Sequence, residues 1–248
     1  MEWDADLYEN EHGFVSEHGK DLLTFIPKKP GTRVLDVGCG TGTLAAKLVD
    51  EGLRVVGIDE SPEMIAKAQA LYPDIDFRVE DALSMEFESE FDVVFSNAVF
   101  HWIPDHATLL RHIRKALIPG GKLVCEFGGV GNIVRIQRAF EKSLERRKIS
   151  YTSPFEFPEL AEFKQLLFDA GVVVELINIA DRLTPLKGGA RGMRTWVEQF
   201  FEADLSALPE AEQAMIMAEM EDELHSVLWD GQRWTADYRR LRVVATAL

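Results

Sequence analysis

The run LDVGCGTG (35–42) constrains this chain more than any other stretch of its sequence. Three glycines alternate with other residues directly after the short β-branched segment TRVLDV (32–37), and a helical pattern follows until Gly52 stops it. A strand that turns through glycines into a helix leaves bare backbone at the strand's carboxyl end, where open α/β sheets take their ligands. The same rhythm repeats downstream. RVVGID (54–59), DFRVED (76–81), FDVVFSN (91–97) and KLVCEF (122–127) read as further strands. Ser61–Pro62 supplies a cap and a first-turn proline for the helix after the second strand. Asp105 to Leu117 carries Leu109, Leu110, Ile113 and Ala116 on one helical face, with Pro119-Gly120-Gly121 expected to break it. Residues 14–26 form an earlier helical pattern that Pro27 ends. The alternation predicts an α/β fold, a doubly wound, mostly parallel sheet covered on both faces.

Beyond residue 128 the rhythm changes. Helices are expected over 131–148, 159–170 (closed by Gly171), 190–202 and 208–228, with strands at 172–181 and from 236 to 248. In the 208–228 helix, Met217, Met220, Leu224, Val227 and Leu228 share one face. The formal net charge of −15 speaks against a nucleic-acid partner, which needs clustered cations. Two distant cysteines offer no metal site. The acidic amino terminus is unlike a signal peptide, and no apolar run approaches the ~20 residues that cross a bilayer. The expectation is a cytoplasmic protein with a small-molecule substrate, no membrane partner and no metal.

Two acidic residues define what the glycine turn could hold. Asp59 closes the second strand and can accept hydrogen bonds from both ribose hydroxyls of an adenosine ligand. Asp81 closes the third and could meet an adenine amine. Dinucleotide sites use G-x-G-x-x-G and face a pyrophosphate. Here the spacing is G-x-G-x-G, and Asp36 stands two residues before the first glycine. A carboxylate there would repel phosphate and suit a ligand bearing an ammonium and a sulfonium. That favours S-adenosylmethionine over NAD, with a dehydrogenase as the alternative.

His101 and Trp102 follow the fourth strand and are the candidates to face a substrate, His101 as an orienting group or a base and Trp102 as apolar wall. His106 and His112 are expected to be solvated. Arg135, Arg138, Arg182, Arg191 and Arg194 are candidates to clamp an acid, and the stretch Arg135–Lys148 could form a basic face. Cys39, inside the loop, is counted among the cofactor-binding positions as a small residue rather than a nucleophile.

VLDVGCGTG, VVGIDESPEMI, VED-A, FDVVFSNAVFHWI and LIPGGKLV, in this order, resemble the class I S-adenosylmethionine-dependent methyltransferases over about residues 1–127. FSNAVFHWIPDH and DYRRLRVVA are similar to the trans-aconitate methyltransferase group of small-molecule enzymes. The resemblance implies a Rossmann-like seven-stranded sheet with an antiparallel last strand. The single domain would comprise amino-terminal lid helices (1–30), a cofactor core (31–128), a helical insertion with substrate-side elements (129–235) and the final strand (236–248). Asp36, Gly38 and Gly40 would line the methionine part of the cofactor, and Asp59 its ribose. Glu60 and Met64, with Asp81 and Ala82, would lie near the adenine, and Ser96 and Asn97 beside the sulfonium. Tyr8, His12 and Phe14 would come from the lid. The activity implied is methyl transfer to a carboxylate or other oxygen nucleophile, leaving S-adenosylhomocysteine. Methylation of an acyl group on a carrier protein and a non-catalytic cofactor-binding module are the alternatives.

Overall fold

The computed structural model describes residues 21–248, which divide into two compact units. One comprises 21–130, 155–179 and 240–248; the other comprises 131–154 and 180–239. The expected residues Tyr8, His12 and Phe14, and most of the 14–26 helix, lie outside the described residues.

The first unit is built on β1 (Arg33–Val37), β2 (Arg54–Asp59), β3 (Asp76–Val79), β4 (Phe91–Asn97) and β5 (Leu117–Gly128). These are short β-branched and aromatic runs, and β1 pairs in parallel with both β2 and β4. β6 (Val172–Pro185) and β7 (Thr235–Ala247) complete a seven-stranded sheet of order β3-β2-β1-β4-β5-β7-β6, with β7 antiparallel to β5. The doubly wound sheet with an antiparallel last strand is as expected. The third strand ends at Val79, short of Asp81, because Asp81 turns the chain by accepting the Leu83 N–H. β5 begins at Leu117, since Pro119-Gly120-Gly121 continues the strand rather than separating it from the helix.

Alternation along the strands sends side chains to opposite faces. Leu35, Val37, Val94, Leu123 and Cys125 pack with α3 (His106–Ala116) and α5 (Leu160–Asp169). Val34, Val93, Phe95 and Val124 pack on the other face with α1 (Thr43–Asp50) and α2 (Pro62–Leu71). Ser61 caps α2 by accepting the Met64 N–H at 3.2 Å, as its place before Pro62 predicts.

The second unit is helical, with α4 (Val134–Arg146), α6 (Gly192–Phe200), α7 (Glu202–Leu205) and α8 (Glu210–Leu228). Ile136, Phe140 and Leu144 of α4 are buried, as are Met217, Met220, Leu224 and Leu228 of α8. Val227, expected on that face, is 53% exposed. Phe140 stacks on Phe201 with centroids 4.4 Å apart. Arg147 bonds Glu212 at 2.6 Å and Glu219 at 3.0 Å, Arg146 also reaches Glu219, and Lys142 reaches Glu223.

Candidate active site

The glycine turn begins where β1 ends. Gly38 and Cys39 donate their N–H groups to the Ile58 carbonyl of β2, at 2.8 and 3.0 Å, which folds the loop over the adjacent strand. Gly38, Gly40 and Gly42 all have positive φ. They need to be glycine for different reasons. A Cβ on Gly38 would stand 2.2 Å from Val99 Cγ2, and one on Gly42 2.5 Å from Phe77 Cζ, so both are fixed by packing. A Cβ on Gly40 would meet no described atom within 4 Å, so its left-handed backbone borders open space.

Asp59 ties this loop to α2. Its Oδ2 accepts the Gly40 N–H at 2.9 Å and its Oδ1 accepts the Ser61 N–H at 3.0 Å. Burial raises its pKa, and the two amides pull it back. Asp36, opposite Gly57 of β2 and Phe95 of β4, is 2% exposed, and its Oδ2 has no hydrogen-bond partner. Desolvation, then the neighbouring Asp59, pushes the Asp36 carboxyl up to about 8. This alters the electrostatic expectation. With no ligand Asp36 is mostly protonated at neutral pH.

The orphaned oxygen of Asp36, the open side of Gly40 and the second carboxylate at Asp59 fit a cationic adenosine ligand. The Cys39 side chain belongs to the apolar cluster beneath the loop, and burial drives its thiol pKa far up, so it is inert. Glu60 is exposed, and Met64 is buried on the first turn of α2. Asp81 is exposed in its turn, and Ala82 packs into the core. Ser96 and Asn97 separate. By alternation Asn97 leaves β4 on the face of Asp36, whereas the Ser96 hydroxyl donates to the Val37 carbonyl at 2.8 Å. That bond ties the end of β4 to the end of β1.

His101 sits in a 3-10 turn, Phe100–Trp102, at the same strand edge. It is 7% exposed, and its Nδ1 accepts the Gly128 N–H at 3.3 Å, which assigns the proton to Nε2. Its pKa lies well below 6.5, lowered first by burial, then by Arg240 and His106. His101 is therefore a neutral donor at physiological pH, and the base expected of it lacks a free lone pair. The Trp102 ring lies 5.5 Å from it and 4.6 Å from Phe155. His106 and His112, expected in solvent, are held by carbonyls: His106 Nε2 lies 2.9 Å from the Phe100 oxygen and His112 Nδ1 2.7 Å from that of Met85. His106 is buried among the core residues of α3, whereas His112 lies at the edge of that face and is only partly covered. Phe155 and Phe157 were missed by sequence reasoning, since two phenylalanines between prolines carry no periodic signal.

Of the arginines named as clamps, Arg194 is held by Glu221 at 2.6 Å. The basic stretch Arg135–Lys148 does not present a bare cationic face, since Lys142, Arg146 and Arg147 are neutralised by α8 carboxylates. No helix of the described residues is long and apolar enough to cross a membrane, and among them no group of three potential metal ligands occurs.

A doubly wound sheet with this order, a glycine loop at the end of β1 and an acidic partner at the end of β2 form an arrangement suited to a nucleoside-bearing ligand. Residues 35–125 match the methyltransferase domain family. The uncharacterized methyltransferase C70.08c of Schizosaccharomyces pombe is 30% identical over 98% of this chain and 97% of its own. The trans-aconitate 2-methyltransferase of an Azoarcus strain is 36% identical over 126 residues, half of each chain. A solved phosphoethanolamine N-methyltransferase 2 of Haemonchus contortus, in complex with S-adenosyl-L-methionine, superposes with TM-score 0.59 and 25% identity, over 94% of this chain and 52% of that one. The chain belongs to the class I S-adenosylmethionine-dependent methyltransferases, and its cofactor is S-adenosylmethionine.

Proposed function

We propose that this methyltransferase acts on a small organic acid, transferring the methyl group to a carboxylate or another oxygen nucleophile. The observation that carries the reading is the state of His101: buried, neutral, and with Nδ1 already accepting a backbone N–H. A carboxylate is ionised at pH 7 and reacts without a base, whereas an alcohol or ammonium must first lose a proton. The trans-aconitate 2-methyltransferases matched over half the chain agree with this chemistry.

When bound, S-adenosylmethionine supplies a methyl group made electrophilic by its sulfonium charge. The chain's own residues bind, orient and exclude water. Asp36 answers the positive end of the ligand, with Gly38 and Gly40 giving the backbone room. Asp59 accepts from the ribose while holding Gly40 and Ser61. Glu60, Met64, Asp81 and Ala82 border the adenine, and Asn97 lies toward the reacting centre. His101 donates Nε2–H to the acceptor oxygen, and Trp102 supplies apolar wall. Alignment and dehydration are the dominant contributions in such a displacement.

The test is turnover with labelled S-adenosylmethionine across trans-aconitate, saturated di- and tricarboxylates, and phosphoethanolamine. Alkali-labile label on a carboxylate is expected, and label confined to the amine would overturn the reading. Cofactor binding is checked separately by calorimetry: Asp59→Ala should weaken S-adenosylmethionine affinity by roughly 1–3 kcal/mol. The carrier-protein alternative is weakened, since Lys142, Arg146 and Arg147 of the basic stretch it relied on are paired with α8 carboxylates.

A further inference from the structure

The segment Phe155–Pro158 returns from the helical unit and is stitched back at two points. Glu156 N–H donates to the His101 carbonyl at 2.8 Å, and Val130 N–H donates to the Pro158 carbonyl at 3.0 Å. The first bond lands on the backbone of His101 itself. Phe155 and Phe157 stack on one another, centroids 5.4 Å apart and planes within 9°. Both rings face the imidazole, at 6.3 and 5.9 Å, and Trp102 closes a third side at 5.5 Å. Gly128 N–H, at the end of β5, reaches Nδ1. Backbone donors thus fix the His101 carbonyl and one ring nitrogen, and aromatic rings remove its water.

We propose that Phe155 and Phe157 are positioning residues that hold His101 as a neutral Nε2–H donor, so that the acceptor must arrive with its oxygen already ionised. This rests on His101 facing the acceptor as inferred above. The charged and titratable groups that act on the ring from the elements around it are Arg240 of β7 and His106 of α3, and both disfavour a second proton. The 155–158 segment contributes two rings toward the imidazole, and its Glu156 N–H bonds the backbone carbonyl of His101. Burial, Arg240 and His106 all act against a second proton and outweigh the cation–π attraction the rings would offer an imidazolium.

The experiment is NMR titration of His101 in the intact protein saturated with S-adenosylhomocysteine, using ring nitrogen and Cε1 shifts, for the wild type, Phe157→Ala and Phe157→Leu. The wild-type ring is expected to stay neutral, in the Nε2–H form, down to a pH well below 6.5. Phe157→Ala should bring its midpoint back toward 6.5 and lower turnover of trans-aconitate at least fivefold at unchanged cofactor affinity; Phe157→Leu should restore both. A wild-type midpoint at 6.5, an Nδ1–H tautomer, or an Ala variant that loses turnover without moving the titration overturns the proposal. If Phe157→Ala does not fold, the wild-type tautomer and midpoint still decide. Failure of the cofactor reading would show independently, as loss of S-adenosylhomocysteine binding in the wild type.

Discussion

The glycine-loop edge and the helical unit treat carboxyl groups in opposite ways. Asp36 is buried without a cation and pushed up to about 8, while Glu219 of α8 meets Arg147, Ser143 and Arg146 and is held down to about 2. The first arrangement lowers the stability of the ligand-free chain at neutral pH, and the second supports it. The contrast is between a carboxyl left without a partner at the end of β1 and carboxylates matched by cations where helix packing is the only task.

The loop itself is the place to break this contrast most severely. Gly38→Ala puts a methyl into Val99 at a left-handed backbone position, and should cost about 2–4 kcal/mol in urea denaturation. A cost under 1 kcal/mol would mean that the turn does not pack as described.

Asp36→Asn sharpens the contrast. It should weaken S-adenosylmethionine binding about 10–100-fold by calorimetry, yet make the ligand-free protein more stable at pH 7. The sign follows from linkage. Because the folded pKa is raised from 3.8 to about 8, the folded chain keeps a proton that the unfolded chain releases. Stability from this group is greatest below 3.8 and falls as pH rises through about 8; the Asn variant lacks that slope. Cofactor binding to the wild type below pH 8 should accordingly release up to about one proton, measured in buffers of different ionisation enthalpy. No proton release would show that Asp36 does not answer the cation.

The smallest effect belongs to the helical unit. Arg147→Met should lower stability by about 1 kcal/mol, less at high salt, since its partners are partly solvated. Glu219 has a depressed folded pKa, so its contribution is present above 4.5 and lost as pH falls through about 2. An acid titration in which wild type and variant run parallel would remove Glu219 from that role.

Much of this was legible in the residues. RVVGID and FDVVFSN occupy β2 and β4 to the residue, because each is a buried β-branched run bounded by turn formers. The glycine loop and the Asp59 partner were readable because their spacing is local. What was not readable depends on long-range pairing. The burial of His106 depends on the Phe100 carbonyl, and the neutralisation of Arg147 depends on a helix far along the chain. The state of Asp36 was misjudged because ionisation is set by burial, which a motif does not report. The Phe155–Phe157 clip lies between elements, where no periodicity speaks.

Asp59 grips the turn and the head of the next helix with its two oxygens. A ligand drawing on that carboxyl therefore tugs on two stretches of chain at once. Any substitution here perturbs the frame along with the grasp, so affinity lost at this position measures both together. Both anchors are backbone N–H groups, so only a change to proline, which removes the donor, would release one while leaving the carboxylate in place.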